Sequence, residues 1–202
     1  MSLPEVMGAL LAGGSSTRMG RPKADVKLGG CSLAQRACQT LAPFTVEVVQ
    51  VGGEPIADLR RRHLPDARSG AGPAAGIEAA LSDAGIHVVA LALDLPFVPP
   101  ALLLATLAVV DQGAPICAPR WEHRWHPLCA AYSATALIPL QERLDRGALD
   151  LQGLLDEIGT PLEGSELDKF GDPTEMLLNI NTPEDLARAE KLLTDRSGGR
   201  ED

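Results

Sequence analysis

The chain has 202 residues, 45% of them hydrophobic and 22% charged, with a formal net charge of −9. This length suits one domain with a full core and no need of disulfides or structural metal. The acidic balance and six aromatic residues argue against a nucleic-acid binder, and the most apolar run, residues 101–110, is about half of the ~20 residues a membrane helix needs.

In chain order, residues 6–11 are an apolar run that ends in a Gly-rich turn and reads as a buried strand. Residues 33–41 carry apolar side chains at helical spacing, with Ser32 as N-cap. Residues 46–51 are β-branched and predict a second strand, and residues 56–62 predict a helix. Residues 73–84 predict a helix that opens on Gly72 and Pro73. Residues 86–93 are almost wholly apolar, as a central parallel strand requires. That strand stops at Asp94, and Pro99-Pro100 open a helix that runs through Val110.

A weak strand follows at 115–118, then a strand at 128–132 and a helix at 134–144. A short helix spans 151–158, a strand 176–180, and a helix capped by Thr182 spans 183–193. Residues 1–194 read as one domain, and the polar segment 195–202 as a disordered tail. The alternation predicts an α/β fold: a single three-layer, Rossmann-like domain with a mostly parallel sheet. The four cysteines, Cys31, Cys38, Cys117 and Cys129, form no C-x-x-C pair, and residues 1–5 carry no basic flank. Together these predict a cytoplasmic location, with no membrane and no nucleic-acid partner.

The most informative segment follows the first strand: Leu11, Ala12, Gly13, Gly14, then Ser15-Ser16-Thr17-Arg18-Met19-Gly20-Arg21-Pro22-Lys23. The glycines let backbone amides converge on an oxygen, and the hydroxyls add donors. Arg18 can hold two phosphate oxygens in one plane, while Lys23 supplies a mobile point charge. These are the parts of a triphosphate cradle. It is not a Walker A loop, because Gly20 and Lys23 are not adjacent, and no G-x-G-x-x-G is present. Arg18, Arg21, Lys23 and Lys27 face only Asp25 within ten residues, in an otherwise acidic chain. Charge alone leaves two alternatives, a solvated basic loop or a site for a small anion.

Three further segments carry chemistry. Asp94, at the end of the most apolar strand, is placed either to hold a hard cation or to cap the next helix. Gly72, Pro73 and Gly76 stand at a loop-to-helix junction, which suits either nucleotide contact or close packing of helix on sheet. Asn181 and Thr182 precede the last helix in a capping pattern. Residues 121–127 hold both tryptophans with His123 and His126. A metal pair there lacks further ligands, and the alternative is an acceptor-binding flap, with aromatic faces for a ring and Arg120 and Arg124 for a phosphate.

The run LAGG-x-S-x-RMG-x-x-K resembles the molybdenum cofactor guanylyltransferases, MobA-like members of the nucleotidyltransferases with a nucleotide-diphospho-sugar transferase fold. Gly72-Pro73-Ala74-Ala75-Gly76, Leu93-Asp94-Leu95-Pro96 and Asn179-Ile180-Asn181-Thr182-Pro183 follow in the expected order, so the resemblance covers residues 6–193. It implies a Mg²⁺-dependent enzyme that transfers GMP from GTP to the phosphate of molybdopterin carrying molybdenum. It implies Mg²⁺ on Asp94, with Arg18, Lys23 and Asp94 as the catalytic set. Leu11, Ala12, Gly13, Gly14, Lys23, Asp66, Gly72, Gly76 and Asp94 fall on the nucleotide side. Asn179, Asn181 and His126 fall on the acceptor side. LAGG accompanies guanine in this family, so GTP is expected over CTP.

The sequence departs from the family pattern at Pro22, where Asp is common, at Ala74 in place of Leu, and at Leu149-Asp150, where some members carry arginine. A cytidylyltransferase for the same acceptor, a sugar-phosphate nucleotidyltransferase, and a non-catalytic nucleotide-binding adaptor remain as alternatives. Transient contacts with other cofactor-biosynthesis proteins or acceptor apoenzymes are compatible with the resemblance.

Overall fold

The computed structural model describes residues 4–13 and 22–198. Strand β1 (Val6–Leu11) is buried along its whole length. A short turn at Lys23–Asp25 leads into the small hairpin β2 (Lys27–Leu28) and β3 (Cys31–Ser32) and then helix α1 (Leu33–Leu41). Ser32 and Gln35 form a reciprocal capping box, so α1 starts where its sequence predicts. Next come β4 (Glu47–Val51), β5 (His63–Leu64), α2 (Pro73–Ala84), β6 (His87–Ala92), α3 (Pro100–Asp111) and β7 (Ile116–Trp121). The chain continues through β8 (Arg124–Trp125), β9 (Cys129–Tyr132), α4 (Leu137–Asp145), α5 (Leu151–Ile158) and β10 (Gly159–Leu162). It ends with α6 (Ser165–Asp168), α7 (Pro173–Met176) and α8 (Pro183–Gly198).

The main sheet runs β10-β7-β9-β6-β1-β4-β5, with β8 paired to β7. Along that order all neighbours are parallel except those of β9, which runs against both β6 and β7; the short β8 is also antiparallel to β7. Successive side chains of a strand point to opposite faces. Accordingly, Val6 and Leu10 pack with Leu33 and Leu41 of α1 and Leu103 and Leu107 of α3. Met7, Ala9 and Leu11 pack with Ile77 and Leu81 of α2, Leu140 of α4 and Leu155 of α5. The result is the expected three-layer α/β arrangement with a mostly parallel sheet. From β1 the chain moves outward to β4 and β5 and then returns through α2 to β6 on the other side of β1. Ligands bind where the strand order reverses in this way, beyond the carboxyl ends of the strands.

Two predicted elements are corrected. Residues 56–62 form no helix, only a single turn at Ala57–Leu59 that ends with Arg60 in the left-handed region (φ 48°). The chain is drawn to the sheet edge instead: the Gln50 amide donates to the Arg62 carbonyl (2.9 Å), and His63–Leu64 pair with β4. Residues 176–180 are not a strand. Their buried apolar run, which suits a strand or a packed loop equally, follows α7 into the core, and the Ile180 amide donates to the Asp94 carbonyl (2.9 Å). The last helix also continues to Gly198, four residues into the segment expected to be a tail. Residues 199–202 lie outside the described residues.

Candidate active site

Beyond the carboxyl ends of β1, β4 and β6 lies a cavity of about 950 Å³. Its walls include Leu11, Ala12 and Gly13 after β1, residues 53–58 after β4, Gly72 and Pro73 before α2, and Leu93 and Asp94 after β6. Gly72 stands at φ 61°, ψ −151°, a conformation essentially confined to glycine, and Pro73 occupies the first turn of α2. The start of that helix, Gly72 and Pro73, therefore borders the cavity, on the side where a helix N-terminus favours negative charge.

Three side chains from distant parts of the chain converge at one end of this cavity. The Lys23 ammonium donates to Asp94 Oδ2 at 2.8 Å and to Asn181 Oδ1 at 2.5 Å. Each member is held locally. Pro22 fixes the backbone before Lys23, and the Val26 amide closes the turn on the Lys23 carbonyl. Asp94 is tied through its carbonyl to Ile180, and the Leu93 amide donates to Leu11 (3.3 Å). The Asp185 carboxylate accepts from the amides of Asn181 and Thr182, both at 2.9 Å, while Thr182 Oγ1 accepts from the Asp185 amide. Burial raises the pKa of Asp185, but these hydrogen bonds outweigh it and hold the carboxyl below its usual range. Thr182 thus caps α8 as the sequence predicts.

Asp66 also lines the cavity, its carboxylate lying against Gly52 and Gly76, where an added Cβ would stand 2.7 Å and 3.3 Å from Asp66 Oδ1. Gly76 itself does not line the cavity. It faces Leu11 and Val51, so it serves the close approach of α2 to the sheet and leaves room for Asp66. Gly14 and Arg18 lie outside the described residues.

A smaller cavity of about 210 Å³ meets the larger one at Asp94. It is lined by Arg124, His126, Gln152 and Asn179, among others. The structure therefore brings His126 and Asn179 together, and places Asn181 at the junction with Lys23 and Asp94. The flap reading is corrected in part. Residues 120–125 form a tight hairpin whose two turn residues, Glu122 and His123, both have positive φ. Trp125 borders the smaller cavity but is buried, with its indole N–H on Asp156 (2.7 Å) and its main chain bonded in both directions to Gln152, so it is an anchored wall residue rather than part of an open flap. Arg120 stacks on Trp125 and approaches Glu163 at 3.9 Å; Arg124 alone of the two arginines faces the smaller cavity. The His126 ring is pushed down to about 4, by burial first and then by the Arg124 charge.

Sequence reasoning missed Gln50. It is buried, donates to the Gly52 and Glu54 carbonyls and accepts from the Ile56 amide, and so shapes the cavity wall at 53–58. Its signal was a single polar residue inside the apolar run of β4. Among the described residues, no three His, Cys, Asp or Glu side chains converge, so a cation at Asp94 would draw further ligands from substrate or water. The Cys117 thiol is pushed up to about 12 by burial and offers no thiolate.

The model of the MobA-like NTP transferase domain matches residues 8–159. The chain is 34% identical over 204 residues to a molybdenum cofactor guanylyltransferase of Rhizobium johnstonii, covering 93% of both chains. Among solved structures, it is similar to molybdopterin-guanine dinucleotide biosynthesis protein A of Archaeoglobus fulgidus, with TM-score 0.78, 28% identity, and 94% and 99% of the two chains covered. It shares its fold with the 2-C-methyl-D-erythritol 4-phosphate cytidylyltransferase of Thermus thermophilus, with TM-score 0.65, 19% identity, and 95% and 98% covered. With a full-length relative above 30% identity and a family match over most of its length, the chain belongs to the MobA-like nucleotidyltransferase family.

Proposed function

We propose that this chain transfers GMP from GTP to the phosphate of molybdopterin carrying molybdenum, forming the guanine dinucleotide and releasing pyrophosphate. The observation that carries this reading is the meeting of two cavities at Asp94, one with nucleotide dimensions and a helix start in its wall, the other bearing Arg124, His126 and Asn179. GTP takes the larger cavity. Asp66 accepts hydrogen bonds from the adjacent donors on the base edge of guanine, a pattern that cytosine lacks. Ala12, Gly13 and Lys23, with Gly14 and Arg18, take the phosphates. Asn179 and His126 face the acceptor.

In the reaction an oxygen of the acceptor phosphate attacks the α-phosphorus and forms the new P–O bond. The bond from the α-phosphorus to the bridging oxygen breaks, and its electron pair leaves with pyrophosphate. The attacking oxygen is already anionic, so no general base is needed. Both reactants are anions, so the protein's task is alignment and neutralisation of charge. Lys23 neutralises the leaving pyrophosphate, and Asn181 holds the junction between the two substrates. Asp94 and Asn181 present two hard oxygens that already converge on a cation, the Lys23 ammonium, so they suit Mg²⁺. When bound there, the metal would neutralise charge on the phosphates.

Pyrophosphate release with molybdenum-loaded molybdopterin tests the reading. Activity is expected with GTP well above CTP. Asp94→Asn should fold and lose at least about a hundredfold in rate, the scale of one electrostatic group at a reacting centre. Equal or CTP-favouring turnover contradicts the guanine assignment. Near wild-type turnover of Asp94→Asn contradicts the role of Asp94.

A further inference from the structure

The Lys23 ammonium stands where a cation bound by Asp94 would stand. It lies 2.8 Å from Asp94 Oδ2 and contacts Asn181 Oδ1, and the side chains of Lys23 and Asp94 are only about one-fifth exposed. A divalent cation needs the same lone pairs at roughly 2.0–2.1 Å. Two positive centres on one carboxylate, partly shielded from water, repel each other, so each weakens the other's hold on it. Among the described residues, no group of three or more metal-ligating side chains converges there, so a cation at Asp94 would depend on further ligands from substrate or water.

We propose that Lys23 is the counter-ion of Asp94 in the nucleotide-free protein, and that a divalent cation replaces it only when a nucleotide triphosphate enters. Lys23 lines the larger cavity as well as touching Asp94. Its flexible stem lets the ammonium swing from Asp94 to arriving phosphates. The triphosphate thus removes the obstacle to the metal and adds oxygens to hold it, and the metal in turn removes the carboxylate that competes for Lys23. Each ligand strengthens the other by the same factor. The exchange rests on Asp94 as the cation ligand, and is independent of what the acceptor is.

The test is a titration of Mn²⁺ into the full chain, followed by the electron paramagnetic resonance of the free ion, with and without GTP and without acceptor, so that nothing turns over. Wild type should bind Mn²⁺ weakly alone and about tenfold or more tightly with GTP, after the Mn²⁺ held by GTP in a protein-free control is subtracted, within the usual range of site coupling. Lys23→Met should bind Mn²⁺ alone about tenfold more tightly than wild type, with the GTP-induced gain shrinking to match. Adding Asp94→Asn should abolish the tighter binding. Circular dichroism checks the fold, and Lys23→Gln gives the same comparison if the Met variant is unstable. Lys23→Met binding Mn²⁺ no better than wild type overturns the proposal, as does tighter binding that survives loss of Asp94. Failure of guanylyl transfer itself would appear separately, as absent pyrophosphate release with acceptor while this Mn²⁺ cycle stands.

Discussion

His126 offers a direct measure of how dry the smaller cavity is. An imidazole titrates near 6.5 in the unfolded chain, whereas burial, helped by the Arg124 charge, holds this ring at about 4. The folded state therefore favours the neutral ring. Its contribution is complete above the unfolded pKa and is lost as pH falls from about 6.5 through about 4, the range in which the unfolded chain binds more protons. Between about pH 7 and about pH 4.5 the unfolded histidine becomes almost fully protonated, while the folded one takes up only a minor fraction. That difference amounts to about 2 kcal/mol. His126→Gln keeps a polar side chain without titration. Urea denaturation of both proteins at the two pH values isolates the effect, because the titrating carboxylates, including Asp172 and Asp185, are common to both. Wild type should lose about 2 kcal/mol more than the variant on acidification. Equal losses would mean that the ring is hydrated and that the cavity is not closed enough to keep it neutral.

Other substitutions probe the remaining walls. Lys23→Ala should weaken GTP binding by about ten- to a hundredfold, the scale of one charged hydrogen bond, and GMP far less; equal weakening by calorimetry would move Lys23 away from the β- and γ-phosphates. Asp185→Asn replaces the charged acceptor that holds the Asn181 and Thr182 amides, so kcat should fall about tenfold with KM for GTP nearly unchanged, and a rise in that KM alone would contradict the positioning role. Gly72→Ala forces a side chain into a glycine conformation and should cost about 1–3 kcal/mol in thermal stability and weaken GTP, whereas an unchanged melting temperature would show that the loop relaxes freely.

The walls of the larger cavity were legible because their signals are local. A Gly-rich turn after an apolar strand, a Gly-Pro pair before a helix and a carboxylate that ends the most apolar strand each constrain the backbone within a few residues. Helices α1 and α2 start where the sequence predicts, since Ser32 accepts from the Gln35 amide in its own first turn and Pro73 brings its fixed φ to a position that needs no N–H. Elements recruited by partners far away in sequence were missed. Residues 62–64 become sheet because the Gln50 amide requires a carbonyl at the edge of β4. Residues 177–180 stay out of the sheet because the Ile180 amide is committed to the Asp94 carbonyl and the side chains of Leu177, Leu178 and Ile180 to the core. Trp125 is an anchor because Gln152 and Asp156 of α5 reach it from about thirty residues on, which no pattern within residues 121–127 could disclose.

The acceptor side depends on a reversal that a buried strand does not advertise. Residues 129–132, Cys-Ala-Ala-Tyr, are buried on both faces, so their side-chain pattern fits a parallel or an antiparallel strand equally well. In the structure β9 runs antiparallel between β6 and β7. Its start, rather than its end, therefore lies beside the carboxyl end of β6, where the Ala92 amide donates to the Leu128 carbonyl at 2.8 Å. The loop that precedes β9 is thereby brought to the edge of the sheet that carries Asp94, and with it come Arg124 and His126. A parallel β9 would have placed that loop at the opposite edge, a strand length away from the nucleotide. The two cavities share Asp94 because one strand is reversed; on the proposed reaction, that is what would let the attacking and attacked phosphates meet at a single carboxylate fixed by the core strand β6.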